Sequence, residues 1–131
     1  MNLFSVTFPV SDPGGDNKQL FLYKAPTDGH GGGVRLLEAY AVNGAATDAG
    51  TTFTFALHKY TNAGTPALSG TIAAAIGGTA APWAAKVPKA FTVDSDTSFL
   101  DAGEWMVCQY GEVANGSPTL ASVTCLFQVG K

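Results

Sequence analysis

FLDAGEWMVCQY, residues 99–110, decides the fold. Phe99 and Leu100 form an apolar pair that runs into Asp101-Ala102-Gly103, a turn whose glycine adopts backbone angles other residues resist. Residues 104–110 then carry Trp, Val and Tyr, the aromatic and β-branched types that suit a pleated, half-buried surface. A second apolar run, residues 119–129, follows a segment of turn residues at 111–118 that contains Asn115-Gly116. The two runs are expected to be strands, paired antiparallel, with the earlier strands packed on them.

The rest of the chain has the same texture. Residues 3–10 alternate, with Phe4, Val6, Phe8 and Val10 on one side and Leu3, Ser5, Thr7 and Pro9 on the other. Pro9 suits the end or edge of a strand. The turn-rich SDPGGDN at 11–17 follows, so residues 1–19 are expected as an N-terminal arm plus linker on a single domain spanning 1–131. Residues 20–25 read as a short strand and 26–33 as a flexible loop. Residues 34–43 (VRLLEAYAVN) contain good helix formers. Their short length between Gly-rich turns favours a strand. Residues 51–60 (TTFTFALHKY) alternate most clearly, with Phe53, Phe55 and Leu57 inward and Thr52, Thr54 and His58 outward. Weaker strands are expected at 68–75 and 86–93, separated by an Ala/Gly loop around Trp83. About eight antiparallel strands with frequent turns, and no helix with start and stop signals, predict an all-β sandwich, jelly-roll-like. The expected core is Phe53, Phe55, Leu57, Phe91, Trp105, Val107, Val123 and Phe127.

The 131 residues suffice for one domain with a real core. Charged residues make up 13%, about half the usual share, so much of the surface is neutral and tolerates contact with other protein. The net charge is −3 and the seven Lys and Arg are scattered. A phosphate-tracking protein needs a cationic patch, so nucleic acid is not an expected partner. No stretch approaches the roughly 18 apolar residues of a membrane-spanning helix. The first residues lack the basic start and apolar core of a secretory signal, which predicts synthesis and folding in a cytoplasm. Cys108 and Cys125 are then expected as buried thiols rather than a disulfide.

No constellation in the chain announces a reaction. His30 sits among glycines and His58 on a polar strand face, and neither has the companions that a zinc site requires. The glycine run at 29–33 lacks the Lys-Ser/Thr ending of a phosphate loop. Asp94, Asp96 and Asp101 place oxygens at a turn, without the glycine and terminal glutamate of a calcium loop. Asp101 and Glu104 could flank a sugar bond, but acids are common at such turns. Asn115-Gly116-Ser117 matches a glycosylation acceptor, discounted because Pro118 follows and no export signal is present. No enzyme activity, metal or cofactor is expected. The candidate partner-binding residues are Leu3, Phe4, Val6 and Phe8 of the N-terminal strand, together with Trp83. Trp83 is read either as an exposed anchor or as a plug for one end of the sandwich.

GTTFTFALHKY at 50–60, KAFTVD at 89–94 and FLDAGEWMV at 99–107, joined by an Ala/Gly/Thr middle, resemble small β-sandwich structural proteins of tailed bacteriophages. The type named most closely is the head decoration, or cement, protein. That resemblance implies a virion protein on the outer capsid surface, bound to the major capsid protein, often as a homotrimer. It carries over no catalytic residue. The alternative is a carbohydrate-binding module of a fibre or spike, which coplanar exposed aromatics on one sheet face would favour.

Overall fold

The computed structural model describes residues 2–27 and 33–130; His30 and its neighbouring glycines at 29–32, weighed above as a metal or phosphate loop, lie outside the described residues. No described residue is helical. The strands are β1 (Leu3–Val10), β2 (Lys18–Lys24), β3 (Val34–Val42), β4 (Thr52–Tyr60), β5 (Leu68–Gly77), β6 (Lys89–Ala90), β7 (Phe99–Leu100), β8 (Trp105–Val113) and β9 (Ala121–Val129). They form two antiparallel sheets. The first has the order β1-β9-β3-β6, with β7 also on β3, and the second β2-β8-β4-β5. This is the all-β sandwich that the alternation predicts, and 34–42 is a strand despite its helix formers.

The core lies between the sheets. Phe53, Phe55 and Leu57 of β4 face Leu36, Ala39 and Ala41 of β3 and Val123, Cys125 and Phe127 of β9 within one buried cluster. The cluster explains the alternation: each strand contributes every second side chain, because successive Cβ atoms leave opposite faces of a sheet. Seven of the eight expected core residues are buried. Trp105 is half-buried instead. On β8 it is Met106, Cys108 and Tyr110 that join the core, so Trp105 and Val107 point to the opposite face. Thr52, expected outward, is buried and bonded to Thr47 (Oγ1 to Oγ1, 2.8 Å).

The expected pairing of the last two long strands is corrected. β8 lies between β2 and β4, whereas β9 lies between β1 and β3 in the other sheet. The connection at 114–120 is too long and irregular for a two-residue hairpin. Ala114, Asn115 and Leu120 take positive φ (50°, 60° and 48°), which turns the chain across the sandwich. Tyr110 anchors the crossing: its single hydroxyl proton is shared between the Gly116 carbonyl (2.8 Å) and the Glu112 carboxylate (2.9 Å). Burial, with Glu112 beside it, raises the Tyr110 pKa. A Cβ on Gly116 would strike the Thr52 backbone, so the crossing passes directly over the start of β4.

The strand expected over 86–93 shrinks to Lys89–Ala90. Lys86 takes positive φ (62°) and Pro88 lacks an N–H, so the segment cannot sustain a ladder. Cys108 and Cys125 are free, buried and on facing sheets. Burial pushes both thiols up to about 12, and Cys125 adds to the effect on Cys108.

Candidate interaction surfaces

Trp83 is corrected as a partner anchor. It is 1% exposed and stacked on Phe53 (4.9 Å, 14°), with its indole N–H donated to the Phe53 carbonyl (2.9 Å). It plugs the sandwich, which leaves no face for a partner.

β1 is not a detached arm. It pairs with β9 over its whole length, from Leu3↔Gln128 to Val10↔Ala121. Phe4, Val6 and Phe8 pack inward against the core, where Phe4 stacks on Phe127 (5.1 Å) and Tyr23 stands tilted to it (6.2 Å). These side chains remain half-buried because among the described residues no strand lies on their outer flank. Leu3 points out and is 49% exposed.

The other edges of the two sheets carry the devices that discourage strand addition. β2 begins and ends in Lys18 and Lys24 and its register slips between Phe21 and Tyr23. β5 is covered by the segment after β6: Val93 bridges Ala73, Asp94 N–H donates to the Ile72 carbonyl (2.8 Å), and Thr97 Oγ1 donates to the Thr71 carbonyl (2.6 Å). β3 is capped by the two-residue β6 and β7. β1 has eight residues, no charge and no register shift; Pro9 is its one interruption.

A second surface was hidden from the sequence reading. Trp105 is the register partner of both Lys24 and Tyr60, and Tyr60 of Leu68. Directly opposed residues share a face. An apolar stripe therefore crosses all four strands on the outer face of the second sheet, with Phe21 joining it. Phe21 is 44% exposed and Leu68 55%. Phe21 stands edge-on to Tyr60 (5.3 Å, 73°) and to Trp105 (5.4 Å, 87°), and the Lys24 ammonium lies over Trp105 (5.5 Å). The outer face of the first sheet is mixed: Ser5, Thr7, Ser122, Thr124 and Gln128, with a Thr7–Thr124 hydroxyl bond (2.9 Å), separate Leu3, Leu126 and Tyr40, and no aromatic cluster forms there among the described residues. The signal for the stripe was the parity of β8. Placing Cys108 inward places Trp105 outward.

His58 neighbours the stripe, opposite Val107 and Thr71. Its Nδ1 is buried with no hydrogen-bond partner among the described residues, and burial lowers its pKa. Protonation would create a buried donor with nothing to accept it. A folded pKa below the unfolded value of about 6.5 means that His58 favours folding above that pH and opposes it as pH falls below. The urea midpoint is expected to drop between about pH 7 and pH 5.5, and less so in His58→Gln. Equal pH slopes in the two proteins would contradict this.

The carboxylates weighed for chemistry serve turns. Glu104 Oε1 accepts the Asp101 N–H (2.8 Å) and Asp94 Oδ1 the Asp96 N–H (3.0 Å). Among the described residues no group of three His, Cys, Asp or Glu is placed to hold a metal. No family model, curated protein or solved structure matches the chain.

Proposed function

We propose that the chain is a non-enzymatic structural protein that docks on a protein shell through the outer face of its second sheet, in the manner of a capsid decoration protein bound to the major capsid protein on the outside of a virion. The observation that carries the reading is the stripe of Phe21, Trp105, Tyr60 and Leu68. Phe21 and Leu68 are exposed and Trp105 and Tyr60 half-buried between them; exposed apolar clusters mark interaction sites, and Trp and Tyr dominate binding energy where they become fully buried. The low charge of the whole chain adds little electrostatic opposition to close packing against another protein. The strand order supports reading the sandwich as a jelly roll, an architecture shared by viral capsid and lectin domains. Fold alone does not assign function, so the stripe carries the argument.

The carbohydrate reading calls for a flat aromatic platform. Here Phe21 stands nearly perpendicular to both neighbours and Lys24 covers a face of Trp105. The rings form a raised cluster, better matched to a protein pocket.

The test is add-back to particles stripped of the chain. Trp105→Ala is expected to weaken decoration at least about 30-fold, the equivalent of a hot-spot loss near 2 kcal/mol. Ser122→Ala, on the opposite outer face, is expected to decorate normally. Equal decoration by both variants would contradict the docking face, and glycan-array binding lost in Trp105→Ala would replace the reading with the carbohydrate one.

A further inference from the structure

We propose that two copies of this chain join β1 to β1 about a two-fold axis, making one continuous sheet from the first sheets of both. This inference does not rest on the shell reading, because it concerns the chain alone in solution.

The backbone groups of β1 alternate in direction, toward β9 and toward the open side. Val129 N–H donates to the Asn2 carbonyl (2.9 Å). Asn2 and Val129 are therefore a hydrogen-bonded pair at the end of the antiparallel ladder, and such pairs alternate with non-bonded ones. Along the registered strand, Phe4, Val6, Phe8 and Val10 then turn their N–H and C=O groups toward β9. Leu3, Ser5, Thr7 and Pro9 turn theirs to the open side. Pro9, which has no N–H, falls in the phase where that donor would have faced outward, its permitted place on an edge strand.

A partner strand must satisfy these groups and keep apolar side chains on the inner face. For antiparallel self-pairing, only registers that oppose residues of like face qualify. The two-fold through Val6 opposes Ser5 to the second copy's Thr7 and Leu3 to the second copy's Pro9. Ser5 and Thr7 exchange both backbone bonds, and the Leu3 N–H meets the Pro9 carbonyl; the Leu3 carbonyl, opposite a proline with no N–H, keeps water as its donor at the open end of the ladder. Phe4 then lies across from the second copy's Phe8, continuing the inner face with the aromatic and aliphatic pairs that stabilise sheets. This register uses every residue from Leu3 to Pro9. Two-folds through Ser5 or Thr7 leave one end of the strand unpaired.

Two further features fit a second copy rather than an unrelated partner. The strand has no charge, so antiparallel copies do not repel. The exposed Leu3 of one copy is also brought beside a groove of about 260 Å3 lined by Pro9, Val10, Pro118 and Leu120 of the other. Leu120 stands 91% exposed at φ 48° on the rim of that groove. A pairing of one patch with itself closes at two copies. A trimer, which the resemblance implies, would require β1 to add to a different edge of its neighbour, and those edges are charged, bulged or covered.

The experiment measures solution mass of the full chain over a concentration series, with no particles present. The expected result is a dimer. Ser5→Pro removes a donor that points away from the fold, so it is expected to keep the strand-type circular dichroism spectrum and to run as a monomer. Val6→Cys places two thiols across the axis, at about 4.5 Å between Cα atoms for a non-bonded pair. That separation suits a disulfide, and a covalent dimer is expected on oxidation. The native cysteines, buried and held protonated, do not compete. A monomer at every concentration, a trimer, or a Ser5→Pro protein that remains dimeric would overturn the proposal. If Ser5→Pro fails to fold, the Val6→Cys result decides: a crosslinked dimer supports the axis and its absence overturns it.

Discussion

Trp83→Ala is expected to lower unfolding stability by about 3–5 kcal/mol, the usual range for truncating a buried aromatic to alanine. Against a typical total of 5–15 kcal/mol, that leaves the fold marginal. Trp83 sits in a loop of small residues with little else to hold it down. Its ring stacks on Phe53 and tilts against Phe55 (5.6 Å, 60°). Its backbone is tied to Thr47 in both directions, by Trp83 N–H to Thr47 Oγ1 (3.0 Å) and Thr47 N–H to the Trp83 carbonyl (2.9 Å). The loop has been shaped around the ring. Gly77 takes φ 84°, and a Cβ there would lie 2.5 Å from the indole nitrogen. Trp83→Phe keeps a ring on Phe53 but loses the hydrogen bond and part of the ring's volume, so its cost is expected at about 1–3 kcal/mol, below that of Trp83→Ala. Urea unfolding separates the two variants. A loss below about 1 kcal/mol for Trp83→Ala would mean that the ring is not part of the core.

Phe55→Ala is expected to cost a similar amount, about 3–5 kcal/mol. Phe55 is fully buried in the middle of β4, directly opposite Tyr110 of β8. Its ring lies 5.0 Å from Phe53 and 6.2 Å from Tyr110. Four large aromatics, Phe53, Phe55, Trp83 and Tyr110, thus fill one end of the sandwich, and none of their neighbours can collapse into the space of a lost ring without moving a strand. The double variant Trp83→Ala/Phe55→Ala should lose less than the sum of the singles, because the two cavities share walls. Strict additivity would show that the rings act separately.

These two residues also mark what could be read from the chain. Phe55 was legible, since alternation at 51–60 fixes which side chains face inward. The existence of most strands followed from the same signal. Trp83 was only half legible: its size argued for burial, but an Ala/Gly loop has no period from which to read a face. Pairing was less legible still. Glu104 to Tyr110 looked like a partner of the following strand because Asn115-Gly116 resembles a hairpin turn. The positive φ at Ala114 and Leu120, which with that at Asn115 carries the chain to the other sheet, leaves no local signature in residues of those two types; Asn115 has one, but it suits a hairpin turn equally well. Trp105 was misplaced because a Trp among apolar neighbours reads as core until the parity of its strand is known. The stripe depends on register between four strands, which no single segment contains. The open edge of β1 is likewise a property of the sheet: residues 3–10 show the strand, while only the topology shows that nothing described lies beside it.

The two surfaces divide the work of the proposed function. As proposed, the β1 edge would join copies to each other and the aromatic stripe would join them to the shell. Paired copies would engage a lattice at two points, so that modest single contacts sum to firm attachment. Loss of the β1 contact by Ser5→Pro should then weaken decoration without touching the stripe.

The most direct measurement is a map of an intact particle that contains this chain, at a resolution that separates strands. The account predicts density for the sandwich on the outer surface, with the face bearing Phe21, Tyr60, Leu68 and Trp105 against the shell protein. Density that turns this face to solvent would contradict it.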